Sequence, residues 1–254
     1  MLNFPNRKLL FSFALIPFVI ASGEISTNAK FPVSTSQHIG ESGQIIAQNT
    51  FIGWVASFWQ RRPKTRLIAR STSGVCAIAP GLVETYIVWS DRPLFLWHSP
   101  GNNQDVQLVL RDYESREVVW TQPVNLADQK VVYNAKDPLE PGKLYQWKLS
   151  DSTNWTAFQV MSASDRDKIQ ADLQALEQKS QATRASQEEI AMRKADYFLN
   201  YEIRSKNEEN IDHLWSDALQ TLNNVENPSP SFHKQREAMV ADVCTQSSPI
   251  TQVK

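Results

Sequence analysis

Between residues 83 and 160 the apolar positions recur at every second residue, in short runs broken by turn formers. Seven runs read as strands: Val83–Trp89, Leu94–His98, Val106–Arg111, Glu117–Thr121, Lys130–Asn134, Leu144–Leu149 and Trp155–Val160. Asp-Arg-Pro at 91–93, Ser-Pro-Gly-Asn-Asn at 99–103, Tyr-Glu-Ser at 113–115 and Glu-Pro-Gly at 140–142 punctuate them. Val106, Leu108 and Leu110 share one face, and Gln107 and Arg111 the other. One buried and one wet face means antiparallel sheets rather than a parallel α/β core. The same parity turns Tyr145, Trp147 and Leu149 inward, puts Trp120 inside with Val118, and leaves Trp155 outside, because Phe158 and Val160 of its strand are apolar. Tyr86 likewise opposes Thr85 and Ile87.

From Ser164 onward the period becomes helical. Ser164-Asp165-Arg166-Asp167 is set to cap a first helix carrying Ile169, Leu173 and Leu176. Ser186-Gln187-Glu188-Glu189 is a capping box for a second, with Ile190, Ala191, Ala195, Phe198 and Leu199. A third is expected to run from Ile211 through Leu214, Trp215, Ala218, Leu219 and Leu222 to Val225. Asn-Pro-Ser-Pro at 227–230 breaks the chain before a fourth with Phe232, Met239, Val240 and Val243. The spacing of Ala218, Leu222, Val225 and Pro230 resembles half a tetratricopeptide repeat, but no second copy is visible and a solenoid needs about three. A helical hairpin docked on the sheets is expected instead.

Leu139-Glu140-Pro141-Gly142-Lys143-Leu144-Tyr145 has the form L-x-P-G-x-x-Y. It resembles the tyrosine corner of immunoglobulin-like and fibronectin-like sandwiches, in which the tyrosine hydroxyl bonds to backbone just upstream. The expected fold class is α+β: an immunoglobulin-like antiparallel β-sandwich over 65–163, then a helical region over 164–246 and a tail at 247–254. Two residues after the tyrosine stands Trp147 rather than cysteine, so the antibody-type intersheet disulfide is excluded.

The N-terminus reads as an address. Arg7 and Lys8 precede the uncharged stretch Leu9–Ile20, which as a helix spans roughly 18 Å against about 30 Å of bilayer hydrocarbon. Ala21-Ser22-Gly23 supplies small residues for cleavage, so 1–23 is expected to be a signal peptide. Its removal shifts the formal charge of the 254-residue chain from −1 to −3. In an oxidising compartment Cys76 and Cys244 suggest a disulfide closing about 168 residues, for which chain entropy allows roughly 5 kcal/mol; the alternative is two buried thiols. Residues 24–64 read as a flexible leader. It ends in an apolar segment containing Trp54, Phe58 and Trp59 beside Arg61, Arg62 and Lys64. Aromatics next to cations make this a candidate for peripheral contact with an anionic membrane surface; the alternative is a segment folded back on the main domain.

Cys76-Ala77-Ile78-Ala79-Pro80, then Trp89-Ser90-Asp91-Arg92-Pro93-Leu94-Phe95-Leu96-Trp97, then Tyr145-Gln146-Trp147 resemble a cyanobacterial family of exported proteins of unknown function. The likeness covers roughly residues 70–160, implies an envelope location and a β-rich core, and transfers no catalytic residue.

Candidate chemistry is sparse. His38, His98, His213 and His233 form no metal-binding spacing, and no nucleophile elbow, phosphate loop or dinucleotide fingerprint occurs. Cys76 with His98 as nucleophile and base, and Asp91 with Asp112 as paired carboxylates, are conceivable only through geometry. No metal or cofactor is expected. The near-neutral charge argues against nucleic acid as a partner. Eight tryptophans are the compositional excess. Trp155 and Tyr86, turned outward, are the candidate ligand-binding residues, since an exposed ring can stack on a sugar or dock a partner chain. The expected function is a non-enzymatic binding or scaffolding module of the periplasm or cell envelope, its partner an envelope protein or a glycan. A carbohydrate-binding sandwich and an uncharacterised hydrolase are the alternatives.

Overall fold

The computed structural model describes residues 52–64, 69–70, 74–204 and 211–245. The expected signal, the leader up to residue 51 and the tail lie outside them. The chain is α+β, with sheets first and most helices after them. A helix over 52–59 (α1) comes first. The strands that follow are β1 (Ala69–Arg70), β2 (Cys76–Ala79), β3 (Ile87–Val88), β4 (Leu94–His98), β5 (Asp105–Asp112), β6 (Val118–Asn125), β7 (Lys130–Val132), β8 (Leu144–Leu149) and β9 (Thr156–Val160). Then come α2 (Ala163–Ala182), α3 (Gln187–Asn200), β10 (Glu202–Arg204), β11 (Ile211–His213), α4 (Trp215–Asn223) and α5 (Pro230–Thr245).

One sheet has the order β1-β2-β4-β7 and a second the order β3-β9-β8-β5-β6; β10 and β11 form a separate hairpin. All pairings are antiparallel except β3 with β9. The inner faces share one core. Phe95 and Trp97 of β4 meet Leu108 and Leu110 of β5, Tyr145 and Trp147 of β8, and Phe158 of β9. Each buried indole finds an acceptor: Trp97 Nε1 donates to Leu126 O at 2.9 Å and Trp147 Nε1 to Pro80 O at 3.0 Å. The chain crosses from the first sheet toward the second at Gly81, where a Cβ would sit 2.3 Å from Ala157 O, so the close passage requires glycine.

A second core fills the other side of the four-stranded sheet. Ile78, Leu94 and Leu96 pack against Phe198, Leu219, Met239 and Val240 of the helices. This explains the unbroken apolar run Leu94-Phe95-Leu96-Trp97, since β4 is buried on both faces. The outer face of the five-stranded sheet lies on the far side of the first core.

Several expectations need correction. Residues 52–59 are helical rather than leader, and Phe58 is enclosed in the helical core at 0% exposure. Val118, expected inside with Trp120, is 62% exposed. The register shifts so that Leu110 faces Trp120 while Arg111 faces Val118, and the extra residue Val119 breaks the alternation. The strand expected over Val83–Trp89 is only Ile87–Val88, and β2 was not expected at all. The third helix starts at Trp215; Ile211 and His213 belong to β11, because Glu202–Arg204 supplies a ladder partner that periodicity does not reveal. Ser162, not Ser164, caps α2 by accepting from Asp165 N–H. Half of the box at Ser186 forms: its side chain accepts from Glu189 N–H at 3.1 Å, while the Glu189 carboxylate accepts from Arg193.

Candidate functional site

The membrane-surface candidates are drawn into the protein. Phe58 packs edge-on against Trp59, whose ring meets Phe232 of α5 at 5.3 Å. Trp54 lies 6.0 Å from Phe58 and is half-buried. Arg61 pairs with Asp196 at 2.7 Å and Arg62 with Asp242 at 2.5 Å. Lys64 donates its backbone N–H to Glu84 Oε1 at 2.7 Å. With Phe58 buried, Trp54 and Trp59 half-buried and both guanidiniums paired with carboxylates, the segment is folded back on the main domain, while Arg62 and Lys64 stay at the surface.

Cys76 and Cys244 form a disulfide, with sulfurs 2.10 Å apart, joining β2 to α5. Cys76 stands opposite His98 in the β2–β4 register, but its sulfur is engaged and His98 Nδ1 faces Gln129 Oε1 at 3.0 Å. Asp91 pairs with Arg166 at 2.7 Å, while Asp112 accepts from the backbone N–H groups of Glu114 and Ser115. The disulfide leaves Cys76 no thiol to act as a nucleophile, and Asp91 and Asp112 are each held by other partners. Among the described residues no cluster of His, Cys, Asp or Glu is fit to hold a metal ion.

Two buried carboxylates bind the helices to the sheets. Glu84 accepts from His213 N–H at 3.0 Å and Trp215 Nε1 at 3.0 Å, and lies 2.9 Å from His213 Nδ1. Asp217 of α4 accepts from Trp89 N–H at 2.9 Å and Ser90 N–H at 3.0 Å. Burial pushes the Asp217 carboxyl up to about 6, and the two backbone donors and Arg166 only partly offset that. A folded-state pKa above the unfolded value of 3.8 means stability that is complete below that value and is lost as pH rises through 6. Relative to Asp217→Asn, which cannot ionise, the native chain is therefore expected to lose about 2 kcal/mol of unfolding free energy between pH 4 and pH 7. Urea titrations of both proteins at the two pH values measure this, and a stability gap independent of pH refutes it.

Trp155 and Tyr86 are not brought together. They stand at opposite ends of β9, Tyr86 accepting from Gln159 N–H at 2.9 Å and remaining 51% exposed. Trp155 gathers other partners on the outer face of the five-stranded sheet. The Arg111 guanidinium lies 3.6 Å from its ring centroid, and Lys148 Nζ lies 5.1 Å away. Arg111 Nε and Nη2 donate to Gln146 Oε1 at 3.2 and 3.0 Å, and Arg116 Nη1 donates to the same oxygen. Arg116 in turn lies over Tyr113 at 4.9 Å. The register builds this cluster: Arg111 faces Gln146, Gln146 faces Ala157, and Val109 faces Lys148. Sequence parity had turned Arg111 and Trp155 outward, but only strand pairing makes them neighbours. Away from that face, a groove of about 490 Å³ between α2, α3 and the end of α4 is lined by Trp89, Phe198, Gln170, Gln174 and the Lys194–Glu177 ion pair among others.

Comparison with protein-family models, curated proteins and solved structures finds no match to this chain. Among the described residues no helix is long and apolar enough to cross a membrane, and the disulfide suggests a location outside the cytoplasm.

Proposed function

We propose that the protein is a non-enzymatic binding module of the cell envelope, built on an immunoglobulin-like sandwich whose outer five-stranded face meets the ligand. Three features support the sandwich reading: two facing sheets, the successive strands β2 and β3 lying in different sheets, and Tyr145, whose hydroxyl oxygen accepts from Glu140 N–H at 3.0 Å. The signal-like N-terminus, the disulfide, and the likeness of the segments at 76–80, 89–97 and 145–147 to an exported cyanobacterial family support the address.

The observation that carries the binding reading is the cluster around Trp155. The helices cover the four-stranded sheet, and the five-stranded sheet presents an aromatic ring with three cations instead. A face built only for solvation has no need to align two guanidiniums on one oxygen. Sandwiches host many functions, so this site and not the fold is the warrant. The full chain is expected to sediment with an isolated envelope fraction, and Trp155→Ala to weaken that binding by about ten-fold with an unchanged melting temperature. Failure of the native chain to sediment, or equal sedimentation of the variant, overturns this function.

A further inference from the structure

We infer that the open face of the five-stranded sheet seats an acidic glycan, with a carboxylate or sulfate group held by Arg111 and Arg116. This rests on the reading of that face as the binding surface and names what it binds.

The two guanidiniums converge on a neutral amide. Arg111 gives two N–H donors and Arg116 a third to Gln146 Oε1 alone. A guanidinium fork matches an oxyanion with two or three oxygens far better than one amide oxygen. Four other arginines find carboxylates, Arg61 with Asp196, Arg62 with Asp242, Arg166 with Asp91 and Arg193 with Glu189, and Arg92 donates to the backbone oxygens of Ala135 and Lys136. Among the described residues Arg111, Arg116 and Lys148 have no such ion pair.

The aromatic rings serve to hold the cations. Arg111 rests on Trp155 and Arg116 on Tyr113, so part of the ordering cost of binding is met in advance. Across from Gln146 the sheet presents only the methyl group of Ala157, and Gln146 itself is buried, so the guanidiniums rather than the amide are what the face offers to a ligand.

The surroundings select the polymer. Gln107, Thr121 and Gln159 lie on the same sheet face and read hydroxyl groups. Val109 and Ala157 are too small to form the apolar centre of a protein interface. Glu114 and Glu117 stand in the same turn as Arg116 and oppose the dense phosphates of nucleic acid. Widely spaced single anions on a hydroxyl-rich chain fit, and the 37% exposed Tyr113 ring offers a further edge for a sugar.

The test is calorimetric titration of the full chain with sparsely carboxymethylated dextran, polygalacturonate, neutral dextran and polyglutamate at about 150 mM salt. At least one acidic polysaccharide is expected to bind about ten-fold or more tightly than dextran, and more tightly than polyglutamate. Arg111→Gln with Arg116→Gln should abolish the preference. Gln146→Glu should abolish it too, by seating a carboxylate between the guanidiniums, while raising Tm by about 2–4 °C, so that lost binding cannot be lost folding. Lys179→Gln, on the exposed side of α2, should change nothing. Equal binding of acidic and neutral polysaccharides, or full binding by Gln146→Glu, overturns the proposal; binding led by polyglutamate overturns it in favour of an acidic polypeptide. If Trp155-dependent envelope binding persists without an acidic preference, only the ligand class falls. If that binding is absent, the function itself falls.

Discussion

Replacing both Cys76 and Cys244 by alanine is expected to cost about 4–5 kcal/mol of unfolding free energy, among the largest losses that two small side chains can produce in this chain. The bond closes a loop of 168 residues, so opening it releases nearly the whole folded unit in the denatured state. In the native state it ties the last helix to the first full strand of the four-stranded sheet, beneath Met239, Val240 and Val243. Those side chains still pack once the bond is gone, so the reduced chain should fold, with a lower urea midpoint. Native protein in reductant should match the double variant. A titre of two free thiols in denatured native protein, or identical midpoints for variant and native protein, would show that the bond is not made in solution and would remove one support for the envelope address.

Phe58→Ala should lose about 4 kcal/mol. The ring is sealed among Trp54, Trp59 and the helical core, and nothing nearby can collapse into the space it vacates without moving α1. Ile52→Ala, at a side chain 64% exposed on the same helix, should change stability by less than about 0.5 kcal/mol. Thermal melts of the two variants decide whether this segment is a structural part of the molecule. Equal melting temperatures for Phe58→Ala and native protein would return residues 52–64 to the role of a loose membrane-facing arm.

The difference between those two residues shows how far a sequence can be read. Trp54, Phe58, Trp59 and the cations after them have the composition of a membrane-surface segment, and the same composition suits a short helix closing a core. Only the presence of Phe232, Asp196 and Asp242 opposite them selects the second. In the sheets the alternation of Val106, Leu108 and Leu110 was sufficient, because one wet and one dry face leave a period of two in the chain itself. It failed at Val118 for a local reason: a single inserted residue inverts parity, and nothing in Glu-Val-Val-Trp marks which valine is the extra one. It failed at Ile211 because a three-residue strand has no period to detect.

The candidate site divides in the same way. That Arg111 and Trp155 point out of the sheet was legible, from the parity of Val106, Leu108 and Leu110 in one run and of Phe158 and Val160 in the other. That they touch, and that Arg116 and Gln146 complete the cluster, was not, because those residues come from β5, the turn after it, β8 and the approach to β9.

What the amino-acid order determined by itself is therefore everything carried by nearest neighbours along the chain: the alternating strands, the capped helices, the turn before Tyr145 and the signal-like start. Tertiary structure decided which of these segments lie side by side. It placed the helices over one sheet and, among the described residues, not over the outer face of the other, joined Cys76 to Cys244, and drew two arginines onto one amide. The reason is physical: backbone periodicity is a local property fixed by a few bonds, whereas a contact between distant residues depends on the packing of every element between them.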